Sequence, residues 1–284
     1  MTERKKVTIT TLFQQVERKE PISWLTCYDY PTAYFQEQAG IDMILVGDSL
    51  GMTMLGYDST LPVTMDDMIR HTQAVSRGAP TAFLVGDMPY MSYQTSVETA
   101  IINAGRLMAE ATCDAVKLEG GAEMANRIEG IANAGIPAFG HLGLTPQSVS
   151  ALGGFRVQGR GALQAKKIID DAKALENAGA ISILLEMVPD RVCKIITERA
   201  ENCIIMSLGS GPHAHGQLLI YHDMFGLYHK FKPKMAKVFG NAGEVILNGL
   251  TQYHKEVQDQ TFPQRENWFI MKDDEYEELL DLLD

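Results

Sequence analysis

The chain has 284 residues and a formal net charge of −11, with much of the acidic excess in the terminal run "KDDEYEELLDLLD". That balance argues against nucleic acid or an anionic membrane as the main partner and leaves a small molecule as the expected ligand. With 45% apolar residues the chain can bury a core without staples, and one closed α/β barrel of about 250 residues is within its reach.

The charged start "MTERKK" leads into no apolar signal-like run, and no apolar stretch approaches membrane-spanning length, so the cytoplasm is the expected compartment. Cys27, Cys113, Cys193 and Cys203 sit in hydrophobic settings without C-x-x-C spacing and read as reduced core residues. Strand-like runs then recur: "ISWLTCY" from Ile22, "MILVGD" from Met43, "TAFLVGD" from Thr81, "AVKLEG" from Ala115, "IPAFGHLG" from Ile136, "SILLEMV" from Ser182 and "CIIMSLGS" from Cys203. Between most of them lie amphipathic helical patterns. Thr64 with Asp67 has capping-box spacing ahead of Met65, Met68, Ile69 and Val75; Thr95 with Glu98 does the same for Val97, Ala100, Ile101, Ala104 and Met108. A third helix carries Ala165, Ile168, Ile169, Ala172 and Leu175 and stops at Gly179. Between "GHLGLTP" and that helix, "LGGFRVQGRG" (Leu152 to Gly161) reads as a lid.

Strands of continuous hydrophobicity alternating with such helices indicate a parallel sheet covered by helices. Seven units are evident, and "QLLIYHDMF" from Gln217 is the candidate for an eighth strand, with room for one brief helix at most before it. Eight strands close a barrel; an open doubly wound sheet is the alternative.

Asp48, Asp87 and Glu119 stand at or near the C-terminal ends of three different strands, the edge where parallel α/β folds build their sites. Each alone is more often a helix cap. Three together repel, by about 4 kcal/mol per pair at about 4 Å and an effective dielectric near 20, which a divalent cation more than offsets. Oxygen-only ligands favour magnesium or manganese over zinc. Lys117 shares a strand face with Glu119 and is open to two roles, pairing with a substrate oxygen or with Glu119 itself. Glu186, ahead of the helix start at Pro189, is a candidate base or a cap. His141 stands at another strand end, functional or structural, beside the helix-start pair Thr145 and Pro146. "SLGSG" (Ser207 to Gly211) is a weak anion-cradle signal. No H-x-x-x-H pair, Walker loop or dinucleotide fingerprint occurs.

In chain order, "TCYDYPTA", "VGDSLGM" with "GYDSTLPVT", "GDMPYMSY", "VKLEGG", "GHLGLTPQSV", "GGFRVQGR", "LLEMVP" and "YHDMFG" closely resemble the ketopantoate hydroxymethyltransferase family, over Val7 to Phe262. The resemblance implies a (β/α)8 TIM barrel of the phosphoenolpyruvate mutase and isocitrate lyase kind. It implies one catalytic domain over 1–262, leaving 263–284 as an acidic, helical extension, and assembly as a homodecamer. It also implies the first step of pantothenate biosynthesis: a hydroxymethyl group passes from 5,10-methylenetetrahydrofolate to 3-methyl-2-oxobutanoate, giving 2-dehydropantoate. Carried over by motif, Asp48, Asp87 and Glu119 hold magnesium; Ser49 with Asp48, Asp87 and Lys117 holds the keto acid; Glu186 is the proton acceptor; His141 supports. In that scheme the metal stabilises the enolate formed when C3 loses its proton.

One segment departs from the family: relatives read G-I-G-A-G followed by D-G-Q where this chain has "SLGSGPHAHGQ", and Pro212 removes a backbone donor. The departure bears on how the folate is seated. Two other readings stand beside this one. A C–C lyase of the same superfamily would typically carry a K-x-C-G-H loop, which this chain lacks. An inactive barrel serving as a binding protein would have no reason to keep a costly set of acids.

Overall fold

A computed structural model describes residues 4–284; the first three residues of the charged start "MTERKK" lie outside them. Eight strands follow in chain order: β1 (Ile22–Thr26), β2 (Met43–Val46), β3 (Phe83–Asp87), β4 (Ala115–Glu119), β5 (Ala138–Gly143), β6 (Ser182–Glu186), β7 (Ile204–Leu208) and β8 (Gly216–Leu219). All pair in parallel with their sequence neighbours, and β8 pairs with β1, so the sheet closes into a (β/α)8 barrel and the open-sheet alternative falls away. Between β7 and β8 the chain crosses residues 209–215 without a helix.

Side chains alternate across a strand, so a closed sheet sorts them into two cores. Trp24, Met43, Leu45, Phe83, Val85, Ala115, Phe139, Leu184 and Met206 fill the barrel, where Phe139 meets Trp24 edge-on and stacks on Phe83. The intervening residues, among them Ile44, Leu84, Val116, Leu118, Ile183 and Ile205, pack outward against the helices. The helix Ile9–Glu17 turns Leu12 into the inner core together with Phe13 and Val16. All four cysteines are buried and free.

Helix starts follow local chemistry. The Thr64 hydroxyl accepts from the Asp67 amide and the Asp67 carboxylate accepts from the Thr64 amide, closing the expected capping box on Met65–Gly78. The cap of Val97–Ala111 is Ser96 and not Thr95: Ser96 is the extended residue (φ −159°, ψ 166°), and its hydroxyl accepts from the Thr99 amide at 3.1 Å. The third expected helix is Ala162–Asn177, with Gly179 at φ +96° after its end.

Two compact units are present. One runs to Met224 and includes Tyr228–Lys237; it contains the barrel. The other, Phe225–Leu227 with Val238–Asp284, contains the helices Ala242–Gln258 and Asp273–Leu283, neither of which buries a residue. Among the described residues no helix is long and apolar enough to cross a membrane.

Candidate active site

The parity that places Phe83 and Val85 inside the barrel sends Asp87 inward two residues on, and likewise Ala115 is followed by Lys117 and Glu119, Phe139 by His141, and Leu184 by Glu186. Register sets them side by side at the C-terminal edge: Asp87 opposite Lys117, Glu119 opposite His141, and Gly143 opposite Glu186. Asp48 follows β2 in a turn, and its amide donates to Asp87 Oδ2 at 3.1 Å. Asp48, Asp87, Lys117, Glu119, His141 and Glu186 are all buried. Ser49 is half-buried, and its hydroxyl lies 2.7 Å from the Tyr28 hydroxyl. The residues singled out by sequence therefore share one mouth of the barrel.

Lys117 Nζ lies 2.7 Å from Asp87 Oδ1 and 3.4 Å from His141 Nδ1. The imidazole stands between two acids, with Nδ1 3.3 Å from Glu119 Oε1 and Nε2 3.1 Å from Glu186 Oε2. Asp87 Oδ1 and His141 Nε2 nevertheless complete no aligned hydrogen bond, so these contacts are charge pairs at close range. Gly143 gives the Glu186 turn its shape: at φ +94° it lets the Leu144 amide reach the Glu186 carbonyl at 2.8 Å, and a Cβ there would lie 2.2 Å from that oxygen.

Gln147 and Tyr93 complete the site and carry no signal in the sequence. Gln147 Nε2 donates to Asp48 Oδ2 at 2.9 Å and to the Met88 carbonyl at 3.0 Å. Its Oε1 accepts from Tyr93 Oη and from Gln94 Nε2, and its backbone amide donates to Glu119 Oε2 at 2.9 Å. One buried amide thus saturates its own hydrogen-bonding capacity while fixing Asp48 and Glu119.

Electrostatics follow from burial. Burial, reinforced by Asp87 and Glu119, drives the Asp48 carboxyl well above the usual carboxylate range. Burial also raises Asp87, against the opposing pull of Lys117. For Lys117 burial pulls downward but Asp87, Glu119 and Asp48 outweigh it, so its ammonium is held more tightly than usual. Burial and Lys117 likewise push His141 down, yet its two acid partners prevail and lift it to about 9. Four carboxylates face two cationic side chains, so the fully ionised cluster has two surplus negative charges.

An oxygen-only donor set with that surplus suits one divalent cation. Among the described residues no three acid, imidazole or thiol groups are gathered tightly enough to hold an ion by themselves. Asp48 and Asp87 are the adjoining pair, while Glu119 is turned onto Gln147 and His141. A ligand supplying oxygens of its own would complete such a site. The "SLGSG" loop spends its groups internally: the Ser210 amide donates to Ser207 Oγ, and Ser207 Oγ donates to the Gly211 carbonyl.

The 3-methyl-2-oxobutanoate hydroxymethyltransferase of Clostridium botulinum (strain 657 / Type Ba4) is 52% identical over 267 residues, 94% of this chain and 97% of its own length. That of Moorella thermoacetica (strain ATCC 39073 / JCM 9320) is 50% identical over 269 residues, covering 95% and 100%. Among solved structures, a phosphonopyruvate hydrolase in complex with oxalate and Mg++ aligns with a TM-score of 0.60 at 12% identity, over 96% of this chain and 95% of its own. A 2,3-dimethylmalate lyase of the PEP mutase/isocitrate lyase superfamily aligns at 0.59 and 13% identity, over 90% of each chain. At that identity the two share the barrel fold. The model of the ketopantoate hydroxymethyltransferase family matches residues 6–265, and the chain belongs to that family.

Proposed function

We propose that this chain transfers a hydroxymethyl group from 5,10-methylenetetrahydrofolate to 3-methyl-2-oxobutanoate, giving 2-dehydropantoate. The observation that carries the reading is the buried line Asp87, Lys117, His141, Glu186 at the barrel mouth, beside the Asp48 and Asp87 pair. In this reading Glu186 is the acceptor for a carbon-bound proton, and Lys117 at the other end of the line receives the negative charge that develops.

Magnesium fits the Asp48 and Asp87 pair, with Glu119 contributing from behind it. When bound, it supplies a Lewis acid that acidifies the carbon next to the keto group. The chain's own residues do the rest. Ser49 hydrogen-bonds a substrate oxygen, and Lys117 meets the oxygen on which charge develops, where a fixed ammonium in a dry site is worth more than in water. Glu186 Oε2 takes the C3 proton, and His141 Nε2, 3.1 Å from it, holds the carboxylate in place. The carbanionic carbon then bonds to the methylene carbon of the folate as one C–N bond breaks, and one water afterwards supplies the hydroxyl as the second C–N bond breaks, so that the C3 proton and a water proton end on the two nitrogens of the departing tetrahydrofolate. The Gly-rich stretch 152–161 passes close to the base, because the Gln158 amide donates to the Met187 carbonyl at 3.0 Å. As a lid it limits hydrolysis of the reactive one-carbon unit by excluding water.

Incubating the protein with magnesium and 3-methyl-2-oxobutanoate in D2O, without folate, tests the proton step alone. We expect exchange at C3, and a loss of about 10²- to 10⁴-fold in E186Q, the range for a removed general base. Absence of exchange in the unmodified protein at every pH from about 6 to about 9 overturns the reading.

A further inference from the structure

The side of the mouth formed by β8 and β1 bears three groups that the proton step leaves unused. The short helix Tyr221–Met224 follows β8, and the Tyr221 amide donates to Thr26 Oγ1 at 3.0 Å, pinning it to the end of β1. His222 is over nine-tenths buried with its ring centroid 5.3 Å from that of Tyr28, and its Nδ1 has no hydrogen-bond partner. Tyr28 in turn touches Ser49. Asp223 is half-buried and its charge is felt at the Tyr28 phenol, and among the described residues its carboxylate has no hydrogen-bond or ion-pair partner. Asp29, the other acid on this side, is fully engaged: it caps the helix Tyr30–Gln38 through the Thr32 amide at 2.8 Å and accepts from the Thr32 hydroxyl.

A buried imidazole nitrogen without a partner is costly to maintain unless a ligand meets it, and the neighbouring Asp223 carboxylate is half-buried and raised to about 6 by burial, so it is poised for a donor better than bulk water. Burial lowers the proton affinity of His222, so the ring is neutral near pH 7 and supplies no countercharge for Asp223. The ligand must therefore bring N–H donors for a carboxylate and a polar ring atom for the imidazole nitrogen. The loop 207–211 offers no competing seat, since its serine hydroxyls are already bonded within the barrel.

Building on the reaction proposed above, we infer that Asp223 and His222 form the docking subsite for the pterin ring of the one-carbon donor. The Asp223 carboxylate accepts the paired N–H groups of the 2-amino-4-oxo ring, His222 Nδ1 meets a polar atom of the heterocycle, and the buried Tyr28, which contacts both His222 and Ser49, links this subsite to the keto acid's. The donor thus enters from the β8–β1 side and the keto acid occupies the β3–β6 side.

Titration with tetrahydrofolate, which has the ring but no one-carbon unit, tests this on the intact chain. D223N should weaken tetrahydrofolate binding at least about tenfold, as loss of a charge-assisted pair does, while C3 exchange of the keto acid continues within about twofold. Tetrahydrofolate affinity within about twofold of the unmodified protein overturns the subsite, as does simultaneous loss of exchange and binding, which marks a structural role. Failure of the unmodified protein to exchange C3 counts against the reaction and not against the subsite, which the titration reads separately.

Discussion

On the β3–β6 side of the mouth, together with Asp48 from the end of β2, each buried charge has a partner: Asp87 has Lys117, His141 has Glu119 and Glu186, and Asp48 has the Gln147 amide. On the β8–β1 side, among the described residues, the half-buried Asp223 has no hydrogen-bond or ion-pair partner and the buried His222 Nδ1 has no hydrogen-bond partner. Both sides descend from the same strand-end geometry, so the contrast concerns what each waits for. A proton-transfer site is useful only if its groups are fixed before the substrate arrives, and neighbouring charges do that fixing. A docking face for a polar heterocycle leaves its hydrogen-bonding capacity to the ligand. The two sides should consequently respond to different probes, and perturbing one should leave the other's readout alone.

The largest side-specific effect is expected at Gln147. In Q147L the volume is nearly kept, while Asp48, the Met88 carbonyl and the Tyr93 hydroxyl each lose a partner. C3 exchange should fall about 10- to 100-fold, the range for groups that orient metal ligands, and tetrahydrofolate affinity should hold. Exchange at the unmodified rate would show that Asp48 needs no fixing. A fall in both readouts would erase the division between the sides.

Magnesium with the keto acid should act next in size. At about a hundredfold excess over Kd, mass action adds about 2.7 kcal/mol, which for a domain of this size raises Tm by roughly 5 to 10 °C. D48N should lose most of that shift by removing one of the two adjoining carboxylates and one of the two surplus charges with it, whereas D223N should keep it. An equal shift in D48N and the unmodified protein would break the assignment of the cation to the β3–β6 side.

How much of this was legible beforehand divides along the same lines. Strand runs and the acids at their ends are local patterns, so Asp48, Asp87, Glu119, Lys117 and Glu186 could be read as strand-end polar residues before any coordinate was known. The Thr64 box was equally local, and the slip from Thr95 to Ser96 is a matter of one residue in φ and ψ. Gln147 was hidden because its partner Asp48 lies 99 residues away, and an amide within "GHLGLTPQSV" gives no sign of facing inward. The role of His141 depended on standing between two acids from different strands, which register alone decides. Asp223 was hidden for the opposite reason: it stands out by the partner it lacks, and a sequence does not display missing contacts.

Ser210 gives the smallest expected effect and the sharpest reading of the altered segment "SLGSGPHAHGQ". Its hydroxyl donates to the Leu185 carbonyl at 2.8 Å and accepts from the Val188 amide at 2.9 Å, bracketing Glu186. Between those contacts Met187 adopts a left-handed φ of 49°, and its amide donates to the Leu208 carbonyl at 2.9 Å. Ser210 therefore supports the turn that carries Glu186, the proposed base, and its hydroxyl is spent within the chain. S210A leaves one buried amide and one carbonyl short of a partner, a loss of about 2 kcal/mol, or roughly 4 to 8 °C in Tm. Exchange should slow by only a few-fold, because Gly143 and Leu208 still hold the turn, and tetrahydrofolate affinity should stay level. If S210A instead weakens tetrahydrofolate while sparing exchange, the loop belongs to the donor after all, and the boundary between the two sides runs through β7 and not between β6 and β8.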